Sequence, residues 1–364
     1  MSKMTKRVYN FYPGPATLAL PVLERARDEL LDFAGTGMSV MEISHRSKEW
    51  DQAMHELDAL VREIMGVPSD YRVMWLGGGA STEFLLTPVN LQIPGKPMEY
   101  VNTGGWSKKA IKEAELYGEV KIIASAEDEN FSYIPKDVAF DDGIAYGHIT
   151  SNNTLYGTEW HYWPKVPSEV PLVCDMSSDL MAREVDVKKF GVIYGGAQKN
   201  LGPAGVTLVI VREDLLERVP EKTPTMMKWK TQAAKDSMFN TPPVFPIYIS
   251  KLSLEHLKEI GGVKEIEKRN REKAKILYDV IDNSGGFYKG HSKPDSRSLM
   301  NVTFTMATPE IEQKCTDEAL KLDLVGLKGH RSVGGMRASI YNAMPIEGVK
   351  KLAEFLKEFQ AKNE

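Results

Sequence analysis

Cysteine is almost missing from this chain: 364 residues include two, Cys174 and Cys315. They lie far apart and outside any CxxC or Cys/His spacing, which argues against a disulfide framework and a zinc site and predicts two reduced thiols with no bound metal. No run of about 18 uninterrupted apolar residues occurs, so no membrane-spanning helix and no membrane partner are expected. Residues 1–10 carry three Lys/Arg but no apolar run follows, so a secretory signal is not expected and the cytoplasm is the expected address. A dominant charge sign is lacking as well. Lys and Arg number 46 against 50 Asp and Glu, a net charge of -4 spread along the chain, which gives no basic field for nucleic acid and points to a small-molecule partner. Neither internal repeats nor low-complexity tracts appear.

What is present is an ordinary globular composition, 42% hydrophobic and 26% charged, in a chain longer than one core usually organises. Apolar residues at helical spacing predict helices over Pro15 to Phe33 and, with Trp50, Met54, Leu57, Val61 and Ile64 on one face, over Ser47 to Met65. Gly66-Val67-Pro68 ends the second. The run Val73-Met74-Trp75-Leu76 followed by Gly77 to Thr82 and Glu83-Phe84-Leu85-Leu86 predicts strand, tight loop and helix. Further short apolar strands at Tyr100-Val101, Val120 to Ile123, Ile144 to Ile149, Leu172 to Cys174, Val192 to Tyr194 and Val206 to Val211 alternate with helical stretches. That pattern predicts an α/β fold with a mostly parallel sheet flanked by helices, its site at the strand carboxyl ends. A charged helical stretch beyond Ile247, broken at Gly261-Gly262, leads into a smaller α+β unit. The expected division is 17–260 for the large domain and 261–364, with the N-terminal segment 1–16, for the small one.

Lys199 sits between two predicted strands in a segment, Tyr194 to Gly205, that holds no other charge and is rich in Gly and Ala. A loop lysine is ordinarily just solvated. Small uncharged neighbours, however, let a ligand approach closely and desolvate the amine, which favours its nucleophilic form. Asp175 ends the preceding strand, where it could simply cap the following Ser177-Ser178 turn. Paired with Lys199 it suits a pyridoxal-phosphate (PLP) site, whose ring nitrogen needs a carboxylate.

The Gly77 to Thr82 loop is either a plain turn or a phosphate site made of backbone N–H groups and hydroxyls at a helix amino terminus. It matches neither GxxxxGK[ST] nor GxGxxG, which disfavours nucleotide. Trp106, after Asn102 to Gly105, is a core residue or a ring that stacks on a flat cofactor. The stretch Lys328 to Ser339 gathers His330, Arg331 and Arg337 among glycines, as a solvated basic loop or as a grip for a doubly anionic substrate. His45-Arg46 could join it, although Arg46 could equally pair with Glu42 at i,i+4 spacing.

Taken together, Asn10 to Ala16, Glu42 to Arg46, the glycine loop, Gly195-Gly196-Ala197-Gln198-Lys199-Asn200, Met238 to Pro243 and Lys328 to Ala343 resemble the phosphoserine aminotransferase family, in the class V group of fold-type I PLP enzymes. The resemblance covers nearly the whole chain. It implies PLP as cofactor, a homodimer with active sites at the subunit interface, and amino transfer between glutamate and 3-phosphohydroxypyruvate in serine biosynthesis, and leaves open whether 4-phosphohydroxythreonine of pyridoxine biosynthesis is also used. It also implies that Lys199 carries the cofactor as a Schiff base, Asp175 meets the ring nitrogen, Trp106 stacks on the ring and Thr154 lies near its substituents. Ala80, Ser81 and Gln198 would hold the cofactor phosphate, with Asn240 and Thr241 reaching it from the partner. His45, Arg46, His330, Arg331 and Arg337 would bind substrate anions. Two departures stand out: Pro13 where relatives have a small side chain that can donate, and no arginine in the Ala80-Ser81-Thr82 loop. The competing expectations are a class V enzyme of the alanine– or serine–glyoxylate type and a non-catalytic anion-binding relative.

Overall fold

The computed structural model describes residues 7–331 and 333–364. Its centre is a seven-stranded sheet in the order Tyr71–Gly78, Gly205–Arg212, Val192–Gly196, Leu172–Asp175, Gly147–Thr150, Met98–Asn102, Val120–Ser125. Every pairing is parallel except the two made by Gly205–Arg212, which runs antiparallel to both neighbours. The α/β fold with a mainly parallel sheet flanked by helices is therefore the one expected from the alternating pattern. The inner strands read as unbroken apolar runs because both their faces are covered. Successive side chains point to opposite faces: Leu172, Cys174 and Ile193 join the core that holds Trp50, Leu57 and Leu252, whereas Val173, Val192 and Tyr194 join the one that holds Phe84, Ile111 and Trp229.

The helix Lys48–Met65 follows its expected bounds. Ser47 caps it, its hydroxyl accepting from Trp50 N at 3.2 Å, and Gly66 ends it with φ 65°, a conformation open to glycine. The expected helix over Pro15 to Phe33 is shorter, Leu20–Asp28, with Pro21 in its first turn. Glu42 to Arg46 is not helical. It is a run of turns in which the Glu42 carboxylate accepts from the Ser39 amide, so the i,i+4 pairing with Arg46 does not form. Gly261 and Gly262, both at positive φ, separate the helices Val244–Glu259 and Gly262–Asp282 as the paired glycines suggested.

After Gly262 the chain builds a three-stranded antiparallel sheet, Lys289–Gly290, Asn301–Thr305 and Met336–Ser339, against the helices Gly262–Asp282, Pro309–Lys321 and Ile346–Asn363. It has its own core, including Leu277, Val302, Phe304, Ile340 and Phe359. Phe11 belongs to that core, and Tyr9–Asn10 pairs with Leu324–Val325, so the amino-terminal segment is sewn to this unit. Cys174 and Cys315 are both free and buried. Among the described residues no helix is long and apolar enough to cross a membrane.

Candidate active site

The carboxyl ends of Val192–Gly196 and Leu172–Asp175 deliver Lys199 and Asp175 to one rim of the sheet. The turn after Gly196 is tight: Leu201 N and Gly202 N both bond to Ala197 O, at 3.1 and 2.8 Å. A Cβ on Gly202 would lie 2.6 Å from Ser250 Oγ and 3.3 Å from Ser250 Cα, so the glycine is what lets this turn seat on the helix Val244–Glu259. The amino-terminal segment closes over it, with Ala16 N bonded to Gln198 O at 2.8 Å. Lys199 Nζ donates to Thr154 Oγ1 at 2.8 Å. Burial pulls the Lys199 pKa from its ordinary 10.5 down to about 8, against the opposing pull of Asp175 and with help from the like charge of Arg337.

Asp175 is buried, and burial pushes its carboxyl above the ordinary range although Ser177 and Lys199 pull the other way. Its Oδ1 accepts from Ser177 N at 2.9 Å and Ser177 Oγ at 2.6 Å. The carboxylate thus does cap the Ser177 turn and faces Lys199 as well; the two uses read from the sequence coexist.

A cavity of about 130 Å³ lies between these groups, and its lining includes Ala80, Ser81, Trp106, Thr154, Asp175, Gln198 and Lys199, seven of the residues singled out in the sequence. Ala80 begins the helix Ala80–Leu91, and Gly79, Ala80 and Ser81 at its amino terminus line the cavity. Gly78 has φ +116°, and a Cβ there would meet Thr82 Oγ1 at 2.7 Å, so the strand-to-helix turn at this rim requires glycine. The Trp106 indole N–H is buried without a hydrogen-bond partner among the described residues. An amine, a carboxylate, an aromatic ring and a helix amino terminus around one small cavity fit a flat, phosphorylated cofactor with a basic ring nitrogen.

Sequence reasoning gave no site role to four further lining residues, Phe84, Asn152, Ser177 and Ser178. Phe84 was readable as the residue one helical turn past Ala80, and Ser177 as the donor two places after an Asp. Asn152 is buried and bonded to Ser178 and Asn301, and gave no local signal.

Outside that lining, Arg337 is buried on Met336–Ser339, its Nη1 donating to Thr154 O at 3.2 Å and its Nε without a partner among the described residues. Burial lowers its pKa. His330 lies on the adjoining turn, its pKa lowered by burial and by the charges of Arg337, Arg331 and Lys109. A Cβ on Gly329 would fall 2.0 Å from Gly334 O, so this turn folds on itself only with glycine there. Lys109, which the sequence reading passed over, stands one helical turn beyond Trp106 with Nζ 4.3 Å from its ring centroid.

The remaining residues are not in that cavity. His45 and Arg46 line a separate recess of about 370 Å³ with Lys235, Asp236 and Met238, and His45 Nε2 is buried without a partner among the described residues. Asn240 and Thr241 lie on an exposed segment, where Asn240 Oδ1 accepts from Gln232.

The family description Aminotransferase class-V matches residues 8–352. A phosphoserine aminotransferase of Desulfosudis oleivorans is 52% identical over 362 residues, 99% of this chain and all of that one. The solved phosphoserine aminotransferase of Bacillus circulans subsp. alkalophilus superposes with a TM-score of 0.97 at 45% identity, covering 99% of this chain and all of that one. A PLP-bound phosphoserine aminotransferase from Trichomonas vaginalis gives 0.91 at 36% identity, over 96% of this chain and all of that one.

Proposed function

The chain belongs to the class V aminotransferases, PLP-dependent transaminases, and on that premise we propose that it is a phosphoserine aminotransferase. It exchanges an amino group between L-glutamate and 3-phosphohydroxypyruvate, giving 2-oxoglutarate and O-phospho-L-serine in serine biosynthesis. The observation that carries this is the convergence of Lys199 and Asp175 on one cavity, with Arg337 hydrogen-bonded to the backbone of Thr154, a residue of the same lining. When bound, PLP supplies an electron sink for the negative charge that develops at the substrate α-carbon.

The chain's own residues do the rest. Lys199 would hold the cofactor and would carry the α-carbon proton; its lowered pKa suits a group that must take and return a proton near neutrality. Asp175 would keep the ring nitrogen protonated, Trp106 would pack on the ring and Thr154 would steady its substituents. Ala80, Ser81 and Gln198 hold the phosphate with helix-end N–H groups and side-chain donors in place of the absent arginine. His330, Arg331 and Arg337 grip the distal anion, which is a carboxylate on glutamate and a phosphate on the keto acid; a guanidinium fork accepts either.

The protein works as a homodimer in the cytoplasm. Support comes from the position of His45, Arg46, Asn240 and Thr241 outside their own chain's cavity, where they are free to complete the partner's site. The exposed Tyr12, Met41 and Phe239 supply apolar surface for pairing. A reaction on glyoxylate, which has no second anion, would leave the His330, Arg331 and Arg337 cluster without a use. Comparing kcat/KM on phosphorylated and unphosphorylated keto acids tests the assignment; equal values refute it. The same assay on 4-phosphohydroxythreonine tests the second substrate.

A further inference from the structure

Asp175 does not orient itself. Both donors to its Oδ1 come from Ser177, the amide at 2.9 Å and the hydroxyl at 2.6 Å. The Ser177 hydroxyl in turn accepts from Gly196 N at 3.2 Å. A serine hydroxyl has one proton to give. With a fixed N–H already pointing at its oxygen, that proton goes to the only carboxylate it touches, so the Gly196 amide sets the direction of the Ser177 donor. Ser177 is also held against the strand that leads to Lys199, since a Cβ on Gly195 would stand 3.3 Å from Ser177 Cα and 3.4 Å from its N. One oxygen of Asp175 is therefore engaged twice, and no protein group among the described residues bonds to the other. Ser177 itself lines the cavity beside Asp175 and Lys199.

We propose that Ser177 is the positioning residue for Asp175, turning the carboxylate so that Oδ2 meets the cofactor's ring nitrogen and keeping it ionised there. This rests on the reading of Asp175 as the partner of that nitrogen. Two donors on Oδ1 withdraw charge from the carboxylate and make it the weaker base of the pair, so the shared proton stays on the ring. They offset the upward push that burial exerts on this acid. Without the hydroxyl the carboxylate is more basic and free to rotate, and the ring nitrogen loses its proton to it.

The test uses holoenzyme carrying PLP labelled with nitrogen-15 in the ring, whose chemical shift reports protonation directly. In Ser177→Ala the signal is expected to move toward neutral pyridine, with PLP dissociation tightness reduced about tenfold and kcat lowered about 10- to 100-fold at nearly constant KM, the size expected for one lost charge-assisted hydrogen bond. Ser177→Thr, which keeps the hydroxyl, should restore the nitrogen signal. A folded Ser177→Ala holoenzyme with the wild-type shift and PLP affinity overturns the proposal, as does Ser177→Thr behaving like Ser177→Ala while folding normally. Asp175→Asn separates the two levels: if it too leaves the nitrogen signal unchanged, the reading of Asp175 is what fails.

Discussion

Arg337 and Thr154 are joined by a 3.2 Å hydrogen bond from guanidinium Nη1 to backbone carbonyl, and the hydroxyl of the same threonine accepts from Lys199 at 2.8 Å. One residue therefore ties the antiparallel C-terminal sheet, which presents Arg337, to the lysine at the rim of the parallel sheet. The charge of Arg337 also acts on Lys199, where it opposes the ammonium form.

Changing Arg337 separates its two effects. Arg337→Lys keeps the positive charge but loses the planar fork, so kcat/KM for both substrates should fall by about 10²-fold, the order found when a buried charge-pair partner is lost. The Lys199 pKa should stay near its wild-type position. Arg337→Met removes the charge as well, and Lys199 should then titrate higher. Site-specific titration of Lys199 in cofactor-free protein checks this; an equal pKa in both variants would contradict the coupling.

Lys199 also makes a pH prediction. With a pKa of about 8, the neutral amine is roughly a tenth of the population at pH 7, so capture of PLP by cofactor-free protein should rise about tenfold from pH 7 to its plateau above pH 8. The stability sign follows from the same shift. The folded pKa lies below the ordinary 10.5, so between these values the unfolded chain binds the extra proton and stability rises with pH. Denaturant midpoints of wild type should therefore gain on Lys199→Met between pH 8 and 10.5, and parallel curves would refute the shift.

Trp106 has Lys109 at 4.3 Å and Lys199 at 5.8 Å from its ring. The face of an indole is electron-rich by its own quadrupole, which is why it holds cations and suits an electron-poor pyridinium. Trp106→Phe should keep most of the PLP affinity, while Trp106→Ala should weaken it by about 1 kcal/mol or more beyond the lost contact area. Equilibrium dialysis of PLP measures both.

How much of this was legible in the sequence depends on the range of the cause. Ser47 to Gly66 announced its helix because cap, stripe and stop are local. The strands were legible because full burial leaves an unmistakable apolar run, as in Leu172 to Cys174. Asp175 and Lys199 were readable as reactive types, yet their shared cavity is a product of sheet order, which places Leu172–Asp175 beside Val192–Gly196. Glu42 to Arg46 misled because i,i+4 spacing carries no information about whether a helix exists; Ser39 won the carboxylate. Lys109 and Asn152 were invisible because nothing nearby in sequence marks a residue whose partner is Trp106 or Asn301.

Lys273 is a buried lysine outside the catalytic cavity, and it predicts a stability effect with a definite pH signature. Its Nζ donates to the carbonyls of Ile340, Tyr341 and Met344 at 2.9, 2.7 and 3.3 Å, and burial lowers its pKa to about 7. The loop it clamps also supplies Asn342 N to Asn200 Oδ1 at 3.0 Å, next door to Lys199. Lys273→Met leaves three buried carbonyls without their donor and should cost about 2–4 kcal/mol, since each orphaned group carries a desolvation penalty. The cost should grow with pH. Below about pH 7 the wild type must bury a charge, and that burden lifts progressively toward pH 10.5, whereas methionine has nothing to titrate. Denaturant unfolding at pH 7 and pH 10 decides it: a smaller loss at pH 10 than at pH 7 would show that the ammonium, not the bonded amine, is the form that holds the loop.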